Sequence, residues 1–266
     1  MQLFFGFLFG AAIGFLAWRA HALSFSGALA AMLTGGLIFG LGGIPWAVLL
    51  LAFFVSSSAL SKAFSRRKAS LSEKFSKGSQ RDWGQVLANG GLGALLAVAH
   101  ALYPGESWPW VAFTGAMAAV NADTWATEMG VLSPKAPRLI TTWRQVERGA
   151  SGGITLLGSL SSLGGAILIA LAAILFTSHV DRPALIVLVI LGGAAGSFFD
   201  SFLGATIQAI YFCPSCQKET ERHPLHLCGS QTSLAHGWSW LNNDLVNFAC
   251  SSVGALVAAS LFLLIR

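Results

Sequence analysis

Apolar runs long enough to cross a bilayer recur along the whole chain, and nothing constrains its fold more. A membrane-spanning helix needs roughly 20 mostly apolar residues, because the bilayer core offers no water to an unpaired backbone. Such runs occupy 2–18, 22–41, 44–60, 84–103, 108–131, 151–176, 183–212 and 244–265. Only Gly42, Gly43 and Pro45 divide the second from the third, which predicts a tight turn. The seventh is too long for one straight span and is expected to tilt, or to break near Asp200. The pattern predicts an all-α integral membrane protein of about eight transmembrane helices, with seven or nine as the adjacent counts. Only 10% of residues are charged, against roughly 25% in a soluble domain. No polar stretch is long enough to bury a core of its own, so residues 1–266 read as one polytopic domain. The first run lacks the basic region and cleavage site of a signal peptide and reads as a retained helix.

Alternating spans sort the connections into two sets. One contains Arg19, the basic segment 61–83 (Lys62, Arg66, Arg67, Lys68, Lys74, Lys77 and Arg81), the segment 132–150 (Lys135, Arg138, Arg144 and Arg148) and the segment 213–243. The other contains the turn at 42–43, the loop around Pro104–Pro109, and 177–182, where Asp181 balances Arg182. Basic residues concentrate in the first set, which the positive-inside rule places on the cytoplasmic side, with both termini outside. Membrane lipids, not nucleic acid, are the expected partners of the basic segment that begins the 61–83 loop.

Ionisable groups within apolar spans are costly and point to function. Asp123, Glu128, Asp200 and Asp244 lie in or against such spans. At helical spacing, Asn121, Asp123, Thr124, Thr127 and Glu128 share one half of their helix. Four further stripes join them: Ser197, Asp200, Ser201, Gly204 and Gln208; Asn243, Asp244, Asn247 and Ser251; Gln85, Asn89 and Gly93; and Ser151, Thr155, Ser159 and Ser162. Facing stripes predict a shared polar cavity that opens to the cytoplasm, with Asp123 and Asp200 deepest. The Ser151 stripe taken alone fits interhelical packing equally well.

Clustered carboxylate and amide oxygens suit Mg²⁺, which often binds through one or two carboxylates and substrate phosphates. Lys77, Arg81, Arg144 and Arg148 border the same face, as phosphate recognition requires. Arg148-Gly149-Ala150-Ser151-Gly152-Gly153 opens the sixth span, where a glycine-rich helix N-terminus is expected to cradle phosphate. The chain contains no G-x-x-x-x-G-K-[ST], H-E-x-x-H or G-x-S-x-G motif, which removes ordinary P-loop, zincin and esterase readings.

The connection 213–243 carries Cys213-Pro214-Ser215-Cys216, His223, His226 and Cys228. A C-x-x-C followed closely by His and Cys has the character of a zinc site. The expected ligands are Cys213, Cys216, His226 and Cys228, with His223 the alternative to His226. Four protein ligands would make the site structural, since catalytic zinc keeps an open position.

The segments KGSQRDWGQVLANGG, AAVNADTWATEMG, RGASGGITLLG, DSFLGATIQ, the Cys-rich knuckle and GWSWLNNDLVNF occur in that order. Together they resemble the membrane family that includes human transmembrane protein 19 and plant phytyl-phosphate kinase, over about residues 10 to 265. The resemblance implies a kinase that converts an isoprenoid monophosphate such as phytyl phosphate to the diphosphate with a nucleoside triphosphate, CTP being the expected donor. An isoprenoid alcohol is the alternative acceptor. It further implies that Asp123, Glu128, Asp200 and Asp244 hold Mg²⁺ and donor phosphates. Asn89, Asn243 and Asn247 would assist, and Lys77, Arg81 and Arg148 would bind nucleotide phosphate. Ser151, Gly152, Ser201 and Gln208 complete the candidate binding set. Two other readings stand beside it: a CTP:lipid-phosphate cytidylyltransferase using the same metal, and a lipid or solute transporter, for which a site nearer mid-membrane is usual.

Overall fold

The computed structural model describes residues 1–68, 74, 75, 77, 80–177 and 180–266 of the 266-residue chain. The side chains of Arg66, Arg67 and Lys68, and much of the expected basic segment 61–83, lie outside the described residues. Eight helices occur among those described: α1 Gln2–Arg19, α2 Phe25–Gly42, α3 Ile44–Lys68, α4 Trp83–Leu102, α5 Trp108–Gly130, α6 Leu156–Ile174, α7 Arg182–Thr206 and α8 Asn243–Ile265. Seven are long and apolar enough to cross a membrane. The other is α5, which carries Asn121, Asp123, Thr124 and Glu128. This helix packs against α3, α4, α6, α7 and α8, and every residue from Val111 to Ala122 is buried. A helix surrounded by protein need not be apolar all round, which is how α5 tolerates its polar residues.

Local chemistry sets the ends of these helices. Ser24, Asp82, Thr155, Asp181 and Asn242 each accept a hydrogen bond from a first-turn backbone N–H, so five helices begin on a capping side chain. The expected turn between α2 and α3 is made by Gly43 at φ +77°, followed by Pro45 in the first turn of α3. Three boundaries differ from the apolar runs by more than three residues. Helix α3 continues to Lys68, because the polar Ser61–Lys68 stretch contains no helix breaker. Helix α6 starts at Leu156, not 151: the glycines before it enter a turn and a short strand. Helix α7 runs unbroken through Asp200 and ends at Thr206, beyond which the β-branched and aromatic residues Ile210–Cys213 form a strand.

The α5–α6 connection holds an antiparallel pair, β1 Arg138–Leu139 with β2 Gly153–Ile154. The α7–α8 connection folds into a three-stranded antiparallel sheet of β3 Ile210–Cys213, β4 Lys218–Thr220 and β5 Ser233–His236, in the order β4-β3-β5. These connections meet at one end of the bundle. Lys74 pairs with Glu147 at 2.6 Å, Leu23 bridges Arg81, and the Glu221 N–H donates to the Lys74 carbonyl at 2.9 Å. At the other end, Gln2 donates to the Phe39 carbonyl at 3.4 Å and Arg266 pairs with Glu106 at 2.6 Å. The alternation expected from the spans is therefore present, and the basic connections share one end. The apolar core, with Ile38, Leu49, Phe113, Met117 and Ile169 fully buried, fills the opposite half of the bundle.

Candidate functional site

A cavity of about 440 Å³ opens among the helix ends and connections at the basic end. Each polar stripe contributes to it. From α5 come Asp123, Thr124, Thr127 and Glu128; from α7, Ser197, Asp200 and Ser201; from α4, Gln85 and Asn89; from α8, Asn243 and Asn247. Thr155, Ser159 and Ser162 line it at the start of α6, and Ser61 and Ser65 at the end of α3. Lys77, Arg81 and Arg148 reach it from the connections.

The carboxylates occupy different surroundings. Glu128 is buried, and Ser61 Oγ donates to its Oε1 at 2.7 Å. Asp200 Oδ2 is buried with no hydrogen-bond partner among the described residues. Asp123 lines the same cavity from the neighbouring helix. Two carboxylates facing one partly desolvated space repel, and a cation or donated hydrogen bonds would relieve the cost.

The basic side chains are held in place. The Arg81 guanidinium lies over the rings of Phe53 at 5.4 Å and Phe54 at 5.7 Å and donates to Ser58 Oγ at 3.3 Å. Burial lowers Arg81 to about 10 while the Glu128 charge holds it up, so it stays cationic at neutral pH. Its backbone is pinned on both sides, N–H to Ala22 and carbonyl to Ser24, each at 3.0 Å. Lys77 forms ion pairs with Asp82 at 2.9 Å and with Asp244. Burial pulls the Lys77 amine down, but the two carboxylates outweigh it and raise it above the ordinary lysine value. Arg148 donates to the Pro134 carbonyl at 3.1 Å.

Several candidates from the sequence are placed differently. Asp244 does not line the cavity: its Oδ2 pairs with Lys77, and its Oδ1 is buried with no hydrogen-bond partner among the described residues. Asn121 is fully buried behind the cavity: it donates to the Gly165 carbonyl at 2.8 Å and accepts from Ser56 at 3.0 Å and Ser57 at 3.2 Å. It holds α5 to α3 and α6. Ser151 and Gly152 do line the cavity, but from the turn before β2, not from a helix N-terminus. Gly152 has φ +73° and its missing side chain leaves room for Ala205 of α7. Helix α6 is capped instead by Thr155, which accepts from the Gly158 N–H at 3.0 Å.

Sequence reasoning missed Glu221. It follows β4, lines the cavity, and accepts from Ser151 Oγ and from Gln208 Nε2, both at 3.0 Å. No apolar run surrounds it, so nothing in the sequence separated it from an ordinary loop glutamate.

The Cys-rich connection brings Cys213, Cys216, His226 and Cys228 together, one ligand atom from each lying within 4.8 Å of the others. Cys213 and Cys228 sulfurs are 3.6 Å apart, Cys216 Sγ is 3.5 Å from His226 Nδ1, and His226 Nδ1 is 3.3 Å from Cys228 Sγ. A tetrahedral ion with roughly 2.3 Å bonds to sulfur separates its ligands by about 3.8 Å, so the group could hold a metal ion such as zinc. His223 is elsewhere: its ring stacks on Tyr211 at 4.3 Å. Between the two histidines left open by spacing, His226 is the one in the cluster.

The profile of the family described as integral membrane protein DUF92 matches residues 8–255. The chain is 34% identical to Protein PGR of Arabidopsis thaliana, over 93% of this chain and 91% of that protein. It is 30% identical to an uncharacterized membrane protein of Methanocaldococcus jannaschii, over 78% of this chain and 84% of that one. It is 26% identical to the chloroplastic Protein VTE6 of Arabidopsis thaliana, over 89% of this chain and 64% of that protein. No solved structure matches the chain.

Proposed function

The chain belongs to the DUF92 family of multi-pass integral membrane proteins, and on that premise we propose that it is a membrane phosphotransferase. In this reading it uses a nucleoside triphosphate, CTP being the expected donor, to convert an isoprenoid monophosphate such as phytyl phosphate to the diphosphate, or to phosphorylate the alcohol. One observation carries the reading. A single cavity at the basic end of the helices is lined by Asp123, Glu128 and Asp200 together with Lys77, Arg81 and Arg148. The motifs that resemble the phytyl-phosphate kinase family surround that cavity. The positive-inside rule would put this end in the cytoplasm, where nucleotide is found.

An all-oxygen donor set, with an Asp200 oxygen that is buried and has no partner among the described residues, fits a hard divalent cation such as Mg²⁺. Asp123, Glu128 and Asp200 would hold it, and when bound it would offset charge on the transferring phosphates. Lys77, Arg81 and Arg148 bind phosphate oxygens, and Ser151 and Gly152 offer hydroxyl and backbone donors beside them. Asn89, Asn243, Asn247 and Ser201 orient the acceptor, and Gln208, beside the Ser151 turn, orients the nucleotide. Asp244 acts through Lys77, fixing where the ammonium points. An oxygen of the lipid phosphate bonds to the γ-phosphorus as the bond to the β–γ bridging oxygen breaks, and the nucleoside diphosphate leaves with that electron pair. A phosphate monoester is already largely ionised near pH 7, so no proton needs to move. An alcohol acceptor would pass its hydroxyl proton to a cavity carboxylate. The metal-binding loop, with four protein ligands, would hold structural zinc. The filled apolar core on the far side of Asn121 favours chemistry over passage of a solute.

The test is turnover of γ-labelled CTP, ATP, GTP and UTP by purified protein with Mg²⁺, offered phytyl, geranylgeranyl and longer isoprenoid phosphates and alcohols. Label in a lipid product, lost at least a hundredfold in Asp200→Asn, is the expected result, by analogy with loss of a single charge-stabilising group. Labelled pyrophosphate with a CDP-lipid would replace the kinase by a cytidylyltransferase. Folded protein that turns over no nucleotide would overturn both and leave transport.

A further inference from the structure

We infer that Glu221 is a positioning residue through which the metal-binding loop sets the shape of the cavity mouth. The inference rests on the phosphotransferase reading for its consequence, though not for its geometry. Cys213 ends β3 and Cys216 lies in the turn to β4, with Cys213 opposite Lys218 and Tyr211 opposite Thr220. Glu221 is the next residue. Strand β4 has three residues and lies at the sheet edge, pairing among the described strands with β3 alone. So short an edge strand is marginal by itself. Closing the Cys213–Cys216 turn around a metal fixes its register, and with it the point where Glu221 emerges.

Glu221 then ties four segments together. Its carboxylate accepts from Ser151 Oγ and Gln208 Nε2, at 3.0 Å each. Its N–H donates to the Lys74 carbonyl at 2.9 Å, and Lys74 in turn pairs with Glu147 at 2.6 Å. The Ser151 turn and the segment bearing Lys74 and Lys77 are the parts of the wall assigned to donor phosphate. Asn89 and Asn247, in the deeper wall, make none of these bonds. Loss of Glu221 should therefore weaken nucleotide binding and spare the lipid. Loss of the metal should do the same, because it acts through the same residue.

The experiment measures KM for nucleotide and for lipid phosphate, and direct binding of labelled nucleoside triphosphate, in full-length wild type, Glu221→Ala, Glu221→Gln and Cys216→Ser. Chelator-treated wild type replaces Cys216→Ser if that variant does not fold. Glu221→Ala should raise nucleotide KM roughly tenfold, as expected for a hydrogen bond to a charged group, with lipid KM unchanged. Glu221→Gln, which keeps an acceptor for Ser151, should recover most of the loss. Removing the metal should give the same shift, and combining it with Glu221→Ala should add nothing further. An unchanged nucleotide KM, equal changes in both KM values, or additive effects would overturn the inference. Amide hydrogen exchange over residues 145–154 supplies a readout that needs no nucleotide. Faster exchange there in both Glu221→Ala and metal-free protein, with no turnover in wild type, would retain the positioning role and reject the phosphotransferase. Unchanged exchange would reject the role itself.

Discussion

Asp82 serves two structures at once. It caps α4, accepting from the Gln85 N–H at 3.0 Å while Gln85 Oε1 accepts from the Asp82 N–H at 3.2 Å. The same carboxylate pairs with Lys77. Burial raises the Asp82 carboxyl, but the Gln85 N–H and Lys77 outweigh it, and the group lies below its ordinary value. A depressed carboxyl contributes stability above the unfolded value of about 4, and that contribution is lost as pH falls through the folded value. Wild-type protein should therefore soften at acid pH more than Asp82→Asn, which keeps a good cap without the charge. Asp82→Ala should cost about 1 kcal/mol at neutral pH through loss of the cap. Unfolding curves in detergent between pH 3 and pH 7 check both. Neither Lys77 nor Asp244 reveals this arrangement by its sequence position, because their contact joins residues far apart in the chain.

At the scale of elements, close helix packing explains why glycines are so frequent here. Gly254 of α8 faces Gly115 of α5 and Gly192 of α7. A Cβ at 254 would meet the Ala119 Cβ at 2.5 Å and the Gly115 carbonyl oxygen at 2.6 Å. Small residues at such crossings let backbones approach, and without water to drive association, packing supplies much of the attraction. Gly254→Ala should destabilise the bundle by about 1–3 kcal/mol, the usual range for overpacking. Gly105, with no described residue within 4 Å of its would-be Cβ, is the control, and Gly105→Ala should leave unfolding unchanged. The boundaries of α6 and α7 follow a different rule. Apolar residues continue past the true helix end at Thr206, but Ile210–Cys213 pairs as a strand with β4 and β5. Hydropathy alone does not distinguish an apolar helix end from the buried strand that follows it.

In the whole molecule, an apolar helical body carries a small polar structure at one end. Exposed Trp83, Trp143, Trp238 and Trp240 lie at that end, the depth at which indole rings favour a membrane surface. Helix packing holds the body, whereas the Cys/His loop offers four ligands that could hold a metal such as zinc. Chelation should therefore release about one zinc per chain, disorder the loop, and leave far-UV helical content unchanged. Elemental analysis and circular dichroism check the two halves separately, and joint loss of helix would show that the loop is integral to the bundle.

The sequence by itself determined what depends on local composition and period. Long apolar runs predicted spanning helices, the Asp123, Asp200 and Asn247 stripes predicted a polar interior, and the spacing of Cys213, Cys216 and Cys228 predicted a ligand cluster. Each is a property of residues within a turn or a short loop of one another. Tertiary structure alone decided which polar groups share the cavity and which are spent elsewhere. It directed Asp244 to Lys77, set Asn121 between α3 and α6, chose His226 over His223, and brought Glu221 to Ser151. Apart from the choice of histidine, made within one loop, these outcomes turn on contacts between distant segments. A carboxylate or amide in a low-dielectric interior takes whichever partner the packing presents, and the local sequence does not encode that partner.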